Sequence, residues 1–175
     1  KHRQGKGCGN LRPIAAAASI EILTGKTRMK PESEKVFVDT NILIYSTFED
    51  FEPEKYIQCI TALNKHLKAG TILCVSSQIL REYFAISTNK NIFKKPLTYK
   101  QATAKMKEFM SHFTLVHEKE STIHILIALI GKYAISRQKI HDMNIVATMI
   151  DNNISHLLTY NVKDFRQINE IQLVL

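Results

Sequence analysis

Cysteine is scarce in this 175-residue chain, and Cys8, Cys59 and Cys74 stand far apart without a C-x-x-C pair. That usage argues against a zinc site and a disulfide framework, and it favours reduced thiols in a cytosol. Long apolar runs are missing as well. None reaches the ~20 residues of a membrane-spanning helix, and no signal peptide follows the basic first residues. We therefore predict a cytoplasmic protein with no membrane partner.

Glycine is absent where a phosphate-binding loop would need it. The stretch "TGKT", residues 24–27, matches the end of the motif G-x-x-x-x-G-K-[ST], but Ile20 occupies the position of the first glycine. A nucleotide-binding loop of that kind is excluded.

The basic charge is distributed unevenly. The net charge is +8, and residues 1–35 hold eight basic and three acidic residues, against sixteen and thirteen in the remainder. We predict that residues 1–34 are a basic, flexible N-terminal extension or a remnant of cloning or processing, and that residues 35–175 form one domain. Within that domain six lysines and no acid fall between residues 90 and 107, a patch suited either to phosphates or to a solvated surface.

From Val36 onward, strand-like and helix-like segments alternate. "VFV" is followed by a helical run, and the later strand-like segments are "TILCVS", "FTLVHE", "HLLTY" and "IQLVL". Such alternation predicts an α/β fold with a mainly parallel central sheet flanked by helices.

Four acids interrupt or border apolar segments, and each has an ordinary structural explanation. Asp39 or Asp142 can cap a helix, since acids favour that end. Glu82 can pair with Arg81 or project into water, and Asp164 can belong to a turn.

The positions of these acids along the chain favour a shared site. Asp39 and Asp164 follow strands, Asp142 begins a helix that leads into a strand, and Glu82 lies in a helix that follows one. The carboxyl ends of parallel strands share one edge of a sheet. Carboxylates meeting there repel one another unless a cation joins them, and oxygen ligands favour Mg²⁺ or Mn²⁺.

Four segments resemble, in order and spacing, the signatures of PIN-domain ribonucleases, most closely the VapC-type toxins of toxin–antitoxin pairs. They are "VFVDTNILIY", "SSQILREYFAIS", "IHDMNIVATMIDNN" and "LLTYNVKDF", within residues 36–170. The resemblance implies a PIN-like domain in which an acidic quartet holds Mg²⁺ or Mn²⁺, with Asp39 and Asp142 as the firmest ligands beside Glu82 and Asp164. The supporting polar residues that it implies are Thr40 (or Ser77), Asn41 and Asn161.

The same resemblance implies a reaction and partners. The reaction is endonucleolytic hydrolysis of RNA by a metal-activated water, which leaves a 5′-phosphate. The partners are the RNA substrate, a second copy of the chain and a small antitoxin whose tail blocks the groove.

Two other functions remain open. A non-catalytic RNA-binding module of the same fold would use Lys94, Lys95 and Lys100, with Tyr99 or Phe93 to stack on a base. A phosphatase with Asp39 as nucleophile is the weakest alternative. Haloacid-dehalogenase-like phosphatases have a second aspartate two residues after the nucleophile, and this chain has Asn41 at that position.

Overall fold

A five-stranded sheet organises the chain. The computed structural model describes residues 34–135 and 137–175. Within them all strand pairs are parallel, in the order β3-β2-β1-β4-β5. The strands are β1 (Lys35–Val38), β2 (Ile72–Ser76), β3 (Thr114–Val116), β4 (His156–Leu158) and β5 (Gln172–Val174). The predicted α/β class is confirmed.

Helices connect these parallel strands, as parallel pairing requires. They are α1 (Thr40–Tyr45), α2 (Pro53–Lys68), α3 (Ser77–Ser87), α4 (Tyr99–His112), α5 (Glu120–Tyr133), α6 (Lys139–Asp151) and α7 (Val162–Phe165). Helix α2 begins with a proline and is followed by Gly70 at φ +75°, a conformation that glycine adopts without strain. No helix of the described residues is long and apolar enough to cross a membrane.

The centre of the sheet is the centre of the core. Val36, Phe37 and Val38 of β1 are fully buried, as are Cys74 and Leu157 of the strands on either side. Strands of a parallel sheet are buried on both faces, so their sequences are nearly continuous runs of apolar residues rather than alternating ones.

The order of the strands creates a crevice beside β1. From β1 the chain moves outward to β2 and β3 on one side, and then returns to β4 and β5 on the other. Connections therefore leave the carboxyl ends of β1 and β4 in opposite directions, which is the usual place for a ligand in an open α/β sheet.

Two details differ from the sequence-based expectation. Helix α6 begins at Lys139, so Asp142 lies in its first turn rather than at its start. Asp164 lies in the short helix α7 rather than in a plain turn. The predicted extension, residues 1–34, lies outside the described residues except for Glu34, so it stays a prediction.

Candidate active site

Asp39 is buried where β1 ends, among hydrogen-bond donors. Its Oδ1 accepts the backbone N–H of Thr40 at 2.6 Å, and its Oδ2 accepts the Asn41 amide and the Thr159 hydroxyl, each at 2.6 Å. Asp39 is therefore the N-cap of α1, but capping uses only one oxygen. A carboxylate offers about four acceptor sites, so these donors leave about one, on Oδ1. Burial raises the pKa of Asp39 despite the lowering effect of the hydrogen bonds from Thr159 and Thr40, and the charge of Glu82 raises it further.

Glu82 is held between α1 and α3 by two side chains. The Thr40 hydroxyl donates to its Oε2 at 2.7 Å, and the Gln78 amide donates to its Oε1 at 2.7 Å. The NH₂ group of Gln78 also donates to the backbone carbonyl of His141. The side-chain oxygen of Gln78 accepts a hydrogen bond from Asn144 at 2.8 Å. This network ties α3 to α6, and it sets the position of a carboxylate that would be expensive to bury unpaired. Glu82 is thus stabilised without a pairing with Arg81, one of the structural alternatives considered from the sequence, because the Arg81 guanidinium donates to Ser77.

Asp142 has a different environment from that of Asp39. Its carboxylate accepts no hydrogen bond from the described residues, whereas Asp39 accepts three. Burial, and then the charges of Asp164, Asp39 and Glu82, together raise the pKa of Asp142 to about 6. The four acids predicted from sequence are therefore close enough to influence one another electrostatically. Like charges gathered in this way favour a bound cation.

Asp164 is oriented by Asn161 and lies close enough to Asp142 to raise the pKa of that residue. The Asn161 amide donates to Oδ2 of Asp164 at 2.6 Å, and the Asn161 backbone N–H donates to Thr159 at 2.9 Å. Asp164 and Asp142 both line a cavity of about 180 Å³ that Asp39 and Glu82 do not reach.

The main cavity beside β1 measures about 310 Å³. Three of the four acids line it together with Thr40, Asn41 and Asn161, and Asp142 borders both cavities. The other lining residues are mostly apolar or aromatic, among them Tyr45, Phe51, Ile92 and Phe93. A cavity with convergent polar groups and a perturbed carboxyl is the best candidate for an active site.

The oxygen donors of this cavity fit a hard divalent cation. Among residues 34–135 and 137–175, no group of three or more His, Cys, Asp or Glu side chains is close enough to enclose a metal ion by itself. That finding agrees with the mutual repulsion of the acids, and Mg²⁺ commonly keeps several waters and uses one or two carboxylates plus substrate phosphates. Asp39 and Asp142 can both offer a carboxylate oxygen to such a cation. Hydrogen bonds occupy most of the acceptor sites of Asp39, and no described residue donates a hydrogen bond to Asp142.

Sequence reasoning did not identify Thr159, Gln78 or Asn144, which hydrogen-bond to the acids or to their partners, and one residue that it named lies elsewhere. Thr159 is 1% exposed and holds Asp39, yet a threonine after a strand is too common to stand out. Gln78 lies four residues before Glu82, a spacing that places both on one helix face and was the available signal. Ser77, named as the alternative to Thr40, is exposed and does not line the cavity.

Comparison with known proteins defines the family. A model of the PIN domain matches residues 36–171, so the chain belongs to the PIN-domain family. The fold expected from the sequence motifs is confirmed.

Relatives and similar structures cover nearly the whole of this domain. The chain is 26% identical over 151 residues to Ribonuclease VapC2 of Methanocaldococcus jannaschii, across 84% of this chain and 97% of that protein. A VapBC2 structure from Rickettsia felis, bound to a DNA fragment from its promoter, is similar with a TM-score of 0.59 at 21% identity, covering 80% and 97% of the two chains. VapBC-1 from nontypeable Haemophilus influenzae gives 0.57 at 18% identity, covering 80% and 96%. At these identities the structural likeness concerns the fold alone.

Proposed function

We propose that this protein is a divalent-metal-dependent endoribonuclease and the toxin of a VapBC-type pair. The observation that carries the proposal is that Asp39, Glu82 and Asp142 line one cavity at the carboxyl end of β1. Asp164 lies close enough to this group to help raise the pKa of Asp142. The name of the archaeal relative, a ribonuclease, supports the substrate class.

Each acid has a proposed role that follows from its surroundings. Asp39 and Asp142 hold Mg²⁺ or Mn²⁺, Glu82 and Asp164 complete the charge of the site, and Thr40, Asn41 and Asn161 orient the carboxylates. We prefer Thr40 to Ser77 because its hydroxyl donates to Glu82 at 2.7 Å. When bound, the cation polarises a phosphoryl oxygen and lowers the pKa of a water.

The overall reaction is hydrolysis of a phosphodiester. The water oxygen bonds to phosphorus, the bond from phosphorus to the 3′ oxygen breaks, and that oxygen takes up a proton. The products carry a 5′-phosphate and a 3′-hydroxyl. The protein contributes by orienting its carboxylates in advance, since hydrogen bonds fix Asp39 and Glu82 before substrate binds.

The proposed partners are RNA, a small antitoxin and a second copy of the chain, in the cytoplasm. The antitoxin is supported by the similar structures, several of which are complexes of a VapB with a VapC protein or toxin–antitoxin complexes.

The experiment is cleavage of labelled RNA by the purified protein with Mg²⁺, with Mn²⁺ or with EDTA, beside Asp39→Asn. We expect cleavage that EDTA abolishes and that the variant lacks while still binding RNA in a gel-shift assay. Glu120→Gln is the matched control, because it removes an exposed acid from α5 and should leave cleavage unchanged. Metal-independent cleavage, or an active Asp39→Asn, would contradict the proposal.

A non-catalytic RNA-binding module is the second candidate, and exposed side chains favour it. Lys94, Lys95 and Lys100 are exposed, and Tyr99 is 65% exposed. Phe93 is only 4% exposed, with its ring stacked on Phe48, so Tyr99 is the better of the two proposed stacking residues. Under this function Asp39→Asn would bind RNA as the parent does, and neither protein would cleave it.

A further inference from the structure

The apolar lining of the main cavity exposes more hydrophobic surface than a packed core would. Phe51 is 42% exposed and Ile92 is 43% exposed, and both line the cavity that the acids border. Large apolar side chains that stay open to solvent beside a polar site commonly mark a binding surface. We call the three aromatic side chains of this lining, Tyr45, Phe51 and Phe93, the aromatic wall.

Contacts between the rings hold the aromatic wall in place. Phe93 stacks on Phe48 with 3.8 Å between ring centroids and 8° between planes, and it meets Phe51 edge-on at 4.8 Å. Tyr45 and Phe51 are nearly parallel, 15° apart with centroids 6.4 Å apart, and Tyr45 also meets Tyr160 edge-on. A wall fixed before binding loses little conformational freedom when a ligand arrives.

The chemistry of the wall indicates a flat, apolar-faced ligand. Phe51 and Phe93 carry no hydrogen-bonding side-chain group, and the Tyr45 hydroxyl accepts from Lys55 at 3.3 Å. The cavity, at about 310 Å³, is at the lower end of small-molecule sites, which suits one nucleotide unit better than a length of polypeptide. Lys94 and Lys95 are exposed and follow Phe93 directly, so cations for neighbouring phosphates lie next along the chain.

We propose that the aromatic wall is a base-binding subsite, in which Phe51 stacks on one unpaired nucleobase of single-stranded RNA next to the scissile phosphate. The inference rests on the proposed ribonuclease function. Stacking uses the π-face that all bases share, so this subsite tolerates any base and selects for unpaired RNA rather than for a sequence.

The absence of tryptophan from the chain makes a direct test possible. In an Asp142→Asn background that does not cleave, Phe51→Trp places a single indole on the wall, and Ile127→Trp places one on an exposed position of α5 outside both cavities. Titration with a single-stranded RNA oligonucleotide should quench the indole at position 51 strongly and the indole at position 127 little. A duplex of the same sequence should leave both nearly unchanged.

Affinity measurements in the same Asp142→Asn background separate stacking from bulk. Phe51→Ala should weaken binding of the oligonucleotide by about 5- to 150-fold, the loss of one stacked base. Phe51→Leu keeps an apolar side chain without a π-face and should weaken binding nearly as much, while circular dichroism confirms that both variants are folded. The Asp142→Asn parent, which keeps Phe51, should bind an oligonucleotide that lacks one base more weakly than the intact RNA. The Phe51→Ala variant should bind the two oligonucleotides equally well.

The results distinguish this inference from the proposed function. If the wild type cleaves RNA but Phe51→Ala binds it as tightly as its parent, or Phe51→Leu restores full affinity, the base-binding subsite is refuted and the nuclease stands. The base-binding subsite is likewise refuted if the indole at position 51 is quenched by a protein partner but not by RNA. If neither binding nor cleavage of RNA occurs in any variant, both proposals fail.

Discussion

Asp142→Asn should make the metal-free protein more stable at neutral pH while abolishing cleavage. In the folded protein the pKa of Asp142 rises from 3.8 to about 6, chiefly by burial and then by the charges of Asp164, Asp39 and Glu82. A shift of that size corresponds to about 3 kcal/mol at ~1.4 kcal/mol for each pKa unit. The carboxylate is only partly buried, so solvent screening reduces our expected gain to about 1 kcal/mol. For a domain of this length that gain raises Tm by about 2–4 °C.

The pH dependence of the gain follows from the direction of the shift. Below pH 3.8 the Asp142 carboxyl is protonated in both the folded and the unfolded protein, so its charge costs the wild type nothing. As the pH rises through about 6, the folded protein must hold a charge that the unfolded chain accommodates easily, and the wild type loses that stability. The variant is neutral throughout, so its advantage should be small near pH 4 and reach its full size above pH 7.

Thermal unfolding in EDTA from pH 4.5 to 8 measures this difference, and Asp39→Asn is its matched control. Asp39 accepts three hydrogen bonds, so an amide there turns an NH₂ group toward at least one donor and should lower Tm. Added Mg²⁺ or Mn²⁺ should stabilise the wild type and narrow the gap to Asp142→Asn, since a ligand of the folded state stabilises it by mass action. The electrostatic argument is wrong if Asp142→Asn is no more stable than the wild type at pH 7.5, or if its gain is as large at pH 4.5.

Two further predictions concern residues that act through the carboxylates. Thr159→Val should lower the free energy of unfolding by about 1–3 kcal/mol in urea denaturation and reduce kcat, because Asp39 loses a 2.6 Å donor. Thr159→Ser keeps the hydroxyl and should keep most activity, whereas equal losses in both variants would contradict this role. Gln78→Leu should reduce kcat by about 10- to 100-fold with little change in KM, because Glu82 loses its link to α6. A rise in KM at constant kcat would instead place Gln78 in substrate binding.

The sheet and the acids could be predicted from local patterns. "VFVD" is a buried strand followed by a carboxylate, and the structure shows Val36–Val38 fully buried with Asp39 at the end of the strand. The carboxyl ends of parallel strands share an edge by geometry, so the order of the segments was enough to place the acids together.

The long-range partner Thr159 and the aromatic wall could not be predicted in that way, whereas Thr40, Asn41 and Asn161 were named from the motifs. Thr159 and Asp39 are 120 residues apart, and no local sequence pattern around either residue indicates that the two are in contact. Phe51 and Phe93 lie in connections between helices, where no periodicity determines which way a side chain faces. Helix α7 has four residues, too few for a periodic signal.

The pairing of β1 with β4 has a consequence for protein synthesis. Asp39 accepts a hydrogen bond from Thr159, and Thr159 in turn accepts one from the backbone of Asn161. Thr159 and Asn161 are synthesised about 120 residues after Asp39. A growing chain that has emerged only as far as α5 carries Asp39 and Glu82 but lacks Asp142, Asp164 and the central partner strand. Nuclease activity of the proposed kind therefore requires the segments from α6 to α7, and a nascent chain that has not yet exposed them would not cleave the RNA being translated.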